Sequence, residues 1–559
     1  MKKRIVSLSL ILALILSIGL TGCSSGSAGK TADTTAAITS GGVLKTAIFS
    51  SPGGIFNPAF ATDTYDMYVT RLVFEPLLRY NTQGEFEGQL AEKWSASPDG
   101  KVFTFVLRDG LKWQDGEPVT ADDVKYSIEY VGYPDYKGAR ASFISAIKGV
   151  DDLKQGKTKD LAGIKVIDKK TIEITTVDTF ASGFLRFGTN FEIFPKHIWE
   201  KVPVAKALEA TDILRNPIGT GPFKMTKFVP DQYIEFTRND NYWGGAPKLE
   251  KIILQKTNMD VAQAQLLKGE IDQMYMVNLS KADETLYKSK GFNIKPLTQN
   301  AYQYLAFNLT MDAFKDKKIR QAFAYAMDRA SVVDNLLEGH GVIANNPYPP
   351  TFWASPKELK EYKYDPKKAL ELFKEAGWVY NENEKKMYIN GKPAKFTLKY
   401  SKGNVVTEKS APLLQQNLKD VGIELDLQIM EFSVMFDQAK KGDFELAFIG
   451  QGNENDGDLS KFYLSKYIKP LGENSGSNFI RYKNPELDKL INDSLTHIDQ
   501  KERVGIFNKI GLLLNEELPV IYRYHWDENI VYSGKLKNRE FTPFAGIYYY
   551  KIENWYLEK

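Results

Sequence analysis

Residues Leu413–Ile449 read LLQQNLKDVGIELDLQIMEFSVMFDQAKKGDFELAFI. Leu413, Leu414, Asn417, Leu418 and Val421 recur with helical spacing as far as Gly422, and a glycine at that point can take the left-handed turn that ends a helix. Ile423, Leu425, Leu427 and Ile429 then alternate strictly with polar residues, the period of a half-buried strand. Val434–Lys441 predicts a further helix with Gly442 as its stop, and the apolar run Phe444–Ile449 predicts the next strand. Upstream, Asp365-Pro366 places an N-cap before a proline at the first helical position, Ala369, Leu370, Phe373 and Ala376 form the apolar stripe, and Gly377 ends it. Helices and strands alternating in this way make an α/β lobe.

In such lobes ligands sit outside the carboxyl ends of strands. The run IGQGNENDGD, Ile449–Asp458, occupies that position. Its carboxylates could bind a metal, do acid–base chemistry, hold a ligand's positive charge, or turn the chain. A calcium loop with Gly457 as its turn glycine would need an oxygen ligand at Gly452 and a glutamate at Tyr463, and neither is present.

The whole chain of 559 residues is 43% hydrophobic and 13% aromatic, enough for roughly two to four well-packed domains. The first stretch, Val102–Arg108, reads as a strand between the turns Asp99-Gly100 and Asp109-Gly110; Asp115-Gly116 makes a third turn. Thr120 and Asp123 then stand at capping-box spacing before a helix through Val124, Ser127 and Ile128. Net charge is +3 with no long basic tract, so the clustered basic face that nucleic acid needs is missing.

The amino terminus carries an export signal. Lys2, Lys3 and Arg4 precede the apolar run Ile5–Leu20, which is shorter than the roughly 20 residues of a membrane-spanning helix. It ends at Leu20-Thr21-Gly22-Cys23, and Cys23 is the single cysteine of the chain. These residues resemble the lipobox of bacterial lipoproteins, which implies cleavage and lipidation at Cys23; an uncleaved signal anchor is the other reading. Ser24–Gly42 is rich in Gly, Ser, Thr and Ala and reads as a flexible tether. Without Lys2, Lys3 and Arg4 the 73 basic residues become 70, against 70 acidic.

Several chemistries lack their residues. His197, His340, His497 and His525 form no HExxH or His-x₃-His pair, so zinc hydrolysis has no ligand set. The GxSxG string Gly22–Gly26 falls at the start of the tether, not between a strand and a helix, so it reads as no nucleophile elbow. Before Gly156-Lys157-Thr158 the glycine of a phosphate loop is replaced by Asp151. No cofactor or metal is indicated.

Three longer blocks carry a family resemblance. Leu90-Ala91-Glu92-Lys93-Trp94 leads through Phe103-Thr104-Phe105 and Lys112-Trp113 to Asp122-Asp123-Val124. Asn216-Pro217-Ile218-Gly219-Thr220-Gly221-Pro222-Phe223 is followed by Asn241-Tyr242-Trp243-Gly244-Gly245, and Asp316–Arg329 makes the third block. Together they resemble the extracellular solute-binding proteins of the peptide/nickel family. Most of these residues read as scaffold: Trp94, Phe103, Phe105 and Trp113 as core aromatics, Gly219 and Gly221 as a tight backbone passage.

The resemblance implies a two-lobed α/β flytrap of the periplasmic-binding-protein type, with an extra N-terminal subdomain. Its segments would be 1–22 signal peptide, 23–42 lipidated tether, 43–83 with 209–297 and 523–559 lobe I, 84–208 the accessory subdomain, and 298–522 lobe II. It also implies an exported, lipid-anchored monomer that hands oligopeptides to an ABC permease and its ATPase subunits. In peptide-binding members a carboxylate in a Gly-Trp-x-Ala-Asp segment pairs with the peptide's ammonium. Here that segment falls on Gly450-Gln451-Gly452-Asn453-Glu454, so Glu454 is the expected partner, with Asp456 and Asp458 as alternates and Gly450 and Gly452 beside the ligand. By position, Thr64 and Tyr65 would lend contacts from lobe I, and Tyr522, Arg523 and Tyr524 from the segment returning to it, Arg523 toward a ligand carboxylate. The alternatives are a non-peptide solute in the same fold (a metal chelate, sugar or opine-like compound), a surface hydrolase using two carboxylates, and a peptide-signal receptor or chaperone.

Overall fold

The computed structural model describes residues 41–544 and 549–558. The signal sequence, Cys23 and all of the tether except Gly41 and Gly42 lie outside them. The body opens with strand β1 (Val43–Ile48) and helix α1 (Thr64–Val73). Asp63 caps α1 by accepting the N–H groups of Tyr65 and Asp66, donors that have no partner inside a helix.

A small antiparallel sheet follows, made of β2 (Ala91–Ala96), β3 (Val102–Leu107), β4 (Ile164–Val166) and β5 (Thr171–Thr175) in the order β2-β3-β5-β4. The expected Asp-Gly turns bound β3, with Gly100 and Gly110 at φ +65° and +70°. Helix α2 (Ala121–Tyr130) starts on its capping box, Thr120 N–H donating to Asp123 Oδ2 at 2.9 Å. Phe103, Phe105 and Trp113 are buried; Trp94 is half-buried.

The chain then adds β6 (Phe223–Val229), β7 (Tyr233–Arg238), β8 (Lys251–Lys256), β9 (Gln273–Met276) and β10 (Phe292–Thr298). From Ala301 the alternation read in Leu413–Ile449 takes over. It comprises β11 (Ala301–Phe307), α3 (Lys317–Ala326), β12 (Gly341–Ile343), α4 (Pro366–Glu375) and β13 (Lys395–Ser401). It continues with α5 (Val405–Asp420), β14 (Glu424–Met430), α6 (Phe432–Lys441) and β15 (Leu446–Gly452). Helices α7 (Pro485–Thr496) and α8 (Gln500–Glu517) lead to the long strand β16 (Val520–Ser533).

Gly422 and Gly442 adopt φ +80° and +85° behind α5 and α6, as a helix stop requires. Two elements run further than the sequence pattern. Helix α5 starts at Val405, capped by Asn404, and continues through Pro412. Strand β15 continues to Gly452 because β11 lies antiparallel beside it, pairing Ala301, Tyr302 and Gln303 with Gly452, Gln451 and Gly450. A Cβ on Gly450 would sit 2.4 Å from Nε2 at the flexible end of the Gln303 side chain.

The main strands form one continuous path, β14-β13-β15-β11-β16-β9-β1-β8-β7-β6, with β10 and β12 also paired to β16. Strand β16 has 14 residues, longer than most strands, and serves both halves. Its beginning pairs with β11 and its end with β9. The other crossing is Gln299-Asn300 between β10 and β11, where Gln299 N–H donates to Trp526 C=O at 2.9 Å.

Two large apolar cores flank these crossings. One holds Phe307, Phe323, Leu398, Phe448 and Leu514. The other holds Leu44, Phe105, Trp113, Phe236 and Ile252 and extends under the small sheet. Each half has its own core, two strand crossings join them, and Tyr80, Leu185 and Phe544 of the first half pack into the core of the second.

Candidate functional site between the lobes

β13, β14 and β15 are parallel, so their carboxyl ends share one edge of lobe II. In lobe I the parallel strands β1, β8 and β9 do the same. Val277 and Asn278, which follow β9, and Gly403–Val406, which follow β13, meet around a cavity of about 300 Å³. Val277 and Asn278 line it from lobe I; Gln303, Asn404, Val406 and Tyr524 line it from lobe II. Tyr65 belongs to the lobe I edge, its hydroxyl accepting the Phe49 N–H at 3.2 Å just beyond β1. Thr64, next to it in the first turn of α1, is exposed.

The acidic run after β15 faces the accessory subdomain. Arg186 Nη2 donates to Glu454 Oε1 at 3.2 Å, and the Ser182 hydroxyl donates to Asp456 Oδ2. Asn455 Nδ2 donates to the Phe544 carbonyl at 2.6 Å, and Trp353 Nε1 holds the Asn455 carbonyl at 3.1 Å. Arg503 Nη2 donates to the Asp456 carbonyl at 3.1 Å. Three carboxylates thus share this loop with the guanidinium groups of Arg186 and Arg503. Burial and the neighbouring Asp456 charge push the Asp458 carboxyl up. Burial also raises Tyr80, which faces the same cluster.

The three carboxylates differ in access. Asp456 is buried, and Asp458 accepts the Ser460 N–H at 2.7 Å. The Glu454 side chain keeps 40% of its surface exposed, and its Oε2 has no hydrogen-bond partner among the described residues. Gly452 faces open space.

The returning segment splits by side. Tyr522 points into the lobe II core, its hydroxyl 2.9 Å from that of Tyr463 and its ring against Tyr302. Tyr524 lines the cavity. Arg523 is buried, with Cζ 3.7 Å from the centre of the Phe448 ring. The sequence offered no signal for Ser182 or Arg186, which lie in and before the π-helical turn Phe184–Thr189 of the accessory subdomain. They become visible once the fold brings that turn to the acidic loop.

The profile described as bacterial extracellular solute-binding proteins, family 5 middle, matches residues 85–469. The chain is 31% identical over 571 residues to the oligopeptide-binding protein AppA of Bacillus subtilis (strain 168), covering 100% of both chains. It belongs to the bacterial extracellular solute-binding proteins of family 5. The structure of AppA from Bacillus subtilis in complex with a nonapeptide is similar, with a TM-score of 0.68 and 28% identity over 93% of this chain and 100% of that one. So is the ABC transporter-associated periplasmic binding protein DppA from Helicobacter pylori in complex with the peptide STSA, with a TM-score of 0.67 and 25% identity over 93% and 98%.

Two of the three sequence blocks come together in lobe I around Glu75, while the third, Asp316–Arg329, forms α3 in lobe II. This buried carboxylate accepts from Tyr242 Oη at 2.7 Å, from Trp243 Nε1 at 3.0 Å and from Gln89 Nε2, while burial raises its pKa. Gly219 and Gly221 press against the end of α1; a Cβ on Gly219 would lie 1.9 Å from the Val73 carbonyl oxygen. These residues bind the chain to itself. Among the described residues, no group of three or more His, Cys, Asp and Glu is placed to hold a metal ion, and no helix is long and apolar enough to cross a membrane.

Proposed function

We propose that this family 5 protein is the receptor of an ABC importer, exported and held to the outer face of the cytoplasmic membrane by a lipid on Cys23. As a monomer it takes extracellular oligopeptides between its lobes and delivers them to a membrane permease with its ATPase subunits. It performs no covalent chemistry on them. Lobe I would be 43–298 with 527–559, including the accessory subdomain 84–208, and lobe II 301–526; the return would fall after Trp526 instead of at 522/523, because β16 pairs with β11 and β12 up to that residue. The two strand crossings would act as the hinge.

The observation that carries this reading is Glu454. It stands at the end of β15, half-exposed, with Oε1 held by Arg186 across the lobes and Oε2 open. A peptide ammonium at Oε2 would be met by a carboxylate already oriented from the other side. In a closed, water-poor cleft such a pair gains more than in bulk water. A ligand that reaches groups of both lobes only when they meet binds the closed form better than the open one and shifts the population toward it. AppA and DppA, whose structures contain a nonapeptide and the peptide STSA, support the choice of ligand class. Tyr65, Gly450, Gly452 and Tyr524 would line the path of the peptide.

Closure is directly measurable. Val261 and Val434 are exposed, one on each lobe, and spin labels on Val261→Cys and Val434→Cys in a Cys23→Ser background report the distance between lobes. A tryptic peptide pool is expected to shorten and narrow that distance distribution. An unchanged distribution at excess peptide refutes the proposed closure.

A further inference from the structure

Lobe II carries an apolar strip that its own packing does not use. The loop 466–474 reads KYIKPLGEN, and its last six residues are all exposed. Leu471 is 60% exposed and Tyr467 41%. The loop lies against the end of α6: Gly472 N–H donates to the Lys441 carbonyl at 2.8 Å, and Ser475 N–H to that of Lys440 at 3.1 Å. Along the helix the Phe432 and Phe436 rings, stacked at 5.5 Å, continue the apolar surface, and Phe432 is 50% exposed.

The loop is fixed in place. Arg481 is buried and donates to five backbone carbonyls, those of Lys440, Lys469, Pro470, Glu473 and Phe479, at 2.8–3.3 Å. It does so at φ +58°, a conformation that costs free energy in a residue with a side chain. That cost is met to order a loop whose tip stays in solvent.

Cations rim the strip. Between positions 459 and 484, Lys461, Lys466, Lys469, Arg481 and Lys483 stand against a single acidic residue, Glu473, in a chain of 73 basic and 70 acidic residues. Lys440 pairs with Asp437 at 2.6 Å, whereas Lys441, Lys466 and Lys469 make no ion pair among the described residues. The Lys440 Nζ lies 5.1 Å from the centre of the Phe436 ring, and the Lys466 Nζ 5.2 Å from that of Tyr467. Their stems therefore cover apolar surface while the charges stay in water.

We propose that this strip rests on an anionic lipid surface, with Leu471, Tyr467 and Phe432 entering the headgroup boundary and the lysines meeting lipid phosphates. Surfaces that lie in a membrane interface combine these residue types, aromatic and leucine side chains on one face with lysine around them. The contact goes beyond peptide capture and needs no lipid on Cys23.

The test uses the full chain with Cys23→Ser, so that one introduced cysteine carries an environment-sensitive fluorophore. The label sits on the strip at Leu471→Cys, or on lobe I at the exposed Val261→Cys. Phosphatidylcholine vesicles containing phosphatidylglycerol, at about 0.1 M salt, where screening acts over about 10 Å, are expected to shift the Leu471 label to the blue. The Val261 label should not respond, and pure phosphatidylcholine should shift neither. Each lysine at an anionic leaflet contributes about fivefold, so Lys466→Gln with Lys469→Gln should weaken the contact about 25-fold. An unshifted Leu471 label on anionic vesicles, an equal shift on neutral ones or at Val261, or an unchanged response in the double variant overturns the lipid contact. A shift seen with bacterial membrane vesicles but not with pure lipid assigns the strip to a protein partner and overturns it as well.

Discussion

Replacing Glu454 with Gln removes one charge and almost no volume. Glutamine still offers a carbonyl oxygen to Arg186 Nη2, now 3.2 Å from Glu454 Oε1, so the lobes keep their contact. What is lost is the charge on the open Oε2. A hydrogen bond to a charged group contributes about 1.5–3 kcal/mol, and the 40% exposure of the Glu454 side chain puts this one at the lower end, because solvent screens it. A loss of about 1.5–2 kcal/mol corresponds to roughly 10- to 30-fold in Kd. Isothermal calorimetry with one peptide and its N-acetyl form isolates the term. The free peptide should lose that factor in Glu454→Gln, whereas the acetylated peptide, which has no ammonium, should change less than about threefold. Equal losses for both peptides would refute the role of Glu454 and return the ammonium to Asp458 or to solvent.

Arg186→Met should act differently. It removes a contact across the lobes worth about 0–1 kcal/mol, so free and acetylated peptides should weaken alike, by at most about fivefold, in the same calorimetry. A loss confined to free peptides would contradict this. Gly219→Ala, whose Cβ would lie 1.9 Å from the Val73 oxygen, should destabilise by about 1–3 kcal/mol or more. Gly505→Ala, inside α8 with nothing within 4 Å, should instead stabilise by about 0.5–1 kcal/mol, and urea melts check both. His525 is buried, donates Nδ1–H to the Ala301 carbonyl at 2.8 Å and is lowered to about 4. The unfolded chain takes up this proton near pH 6.5 and the folded one only near pH 4, so stability is full above pH 6.5. It falls by about 3 kcal/mol as pH drops to 4. His525→Gln should flatten that part of the profile; an unchanged slope would refute the assignment.

Local rules carried lobe II and the accessory subdomain. The helix stops at Gly422 and Gly442, the capping box at Thr120 and the Asp-Gly turns around β3 all depend on residues adjacent in the chain, and each was legible there. The extension of β15 to Gly452 was not. It is imposed by β11, which lies about 150 residues earlier, and glycines carry no strand preference of their own. The continuation of α5 through Pro412 likewise follows tertiary packing against propensity. At the site, the position of Glu454 after a strand could be read from the sequence. Its contact with Arg186, 268 residues away, is a product of the fold alone. Tyr522 and Tyr524 show the same limit: two positions apart on one strand, they reach core and cavity respectively, because the ladder shifts register between Gln303 and Tyr304.

Native mass spectrometry of the full chain, desalted after incubation with a tryptic peptide pool, addresses peptide capture itself. The account predicts chains carrying one intact peptide each, with the free pool unchanged in composition. Bare protein throughout, or cleavage products accumulating in the pool, would contradict it.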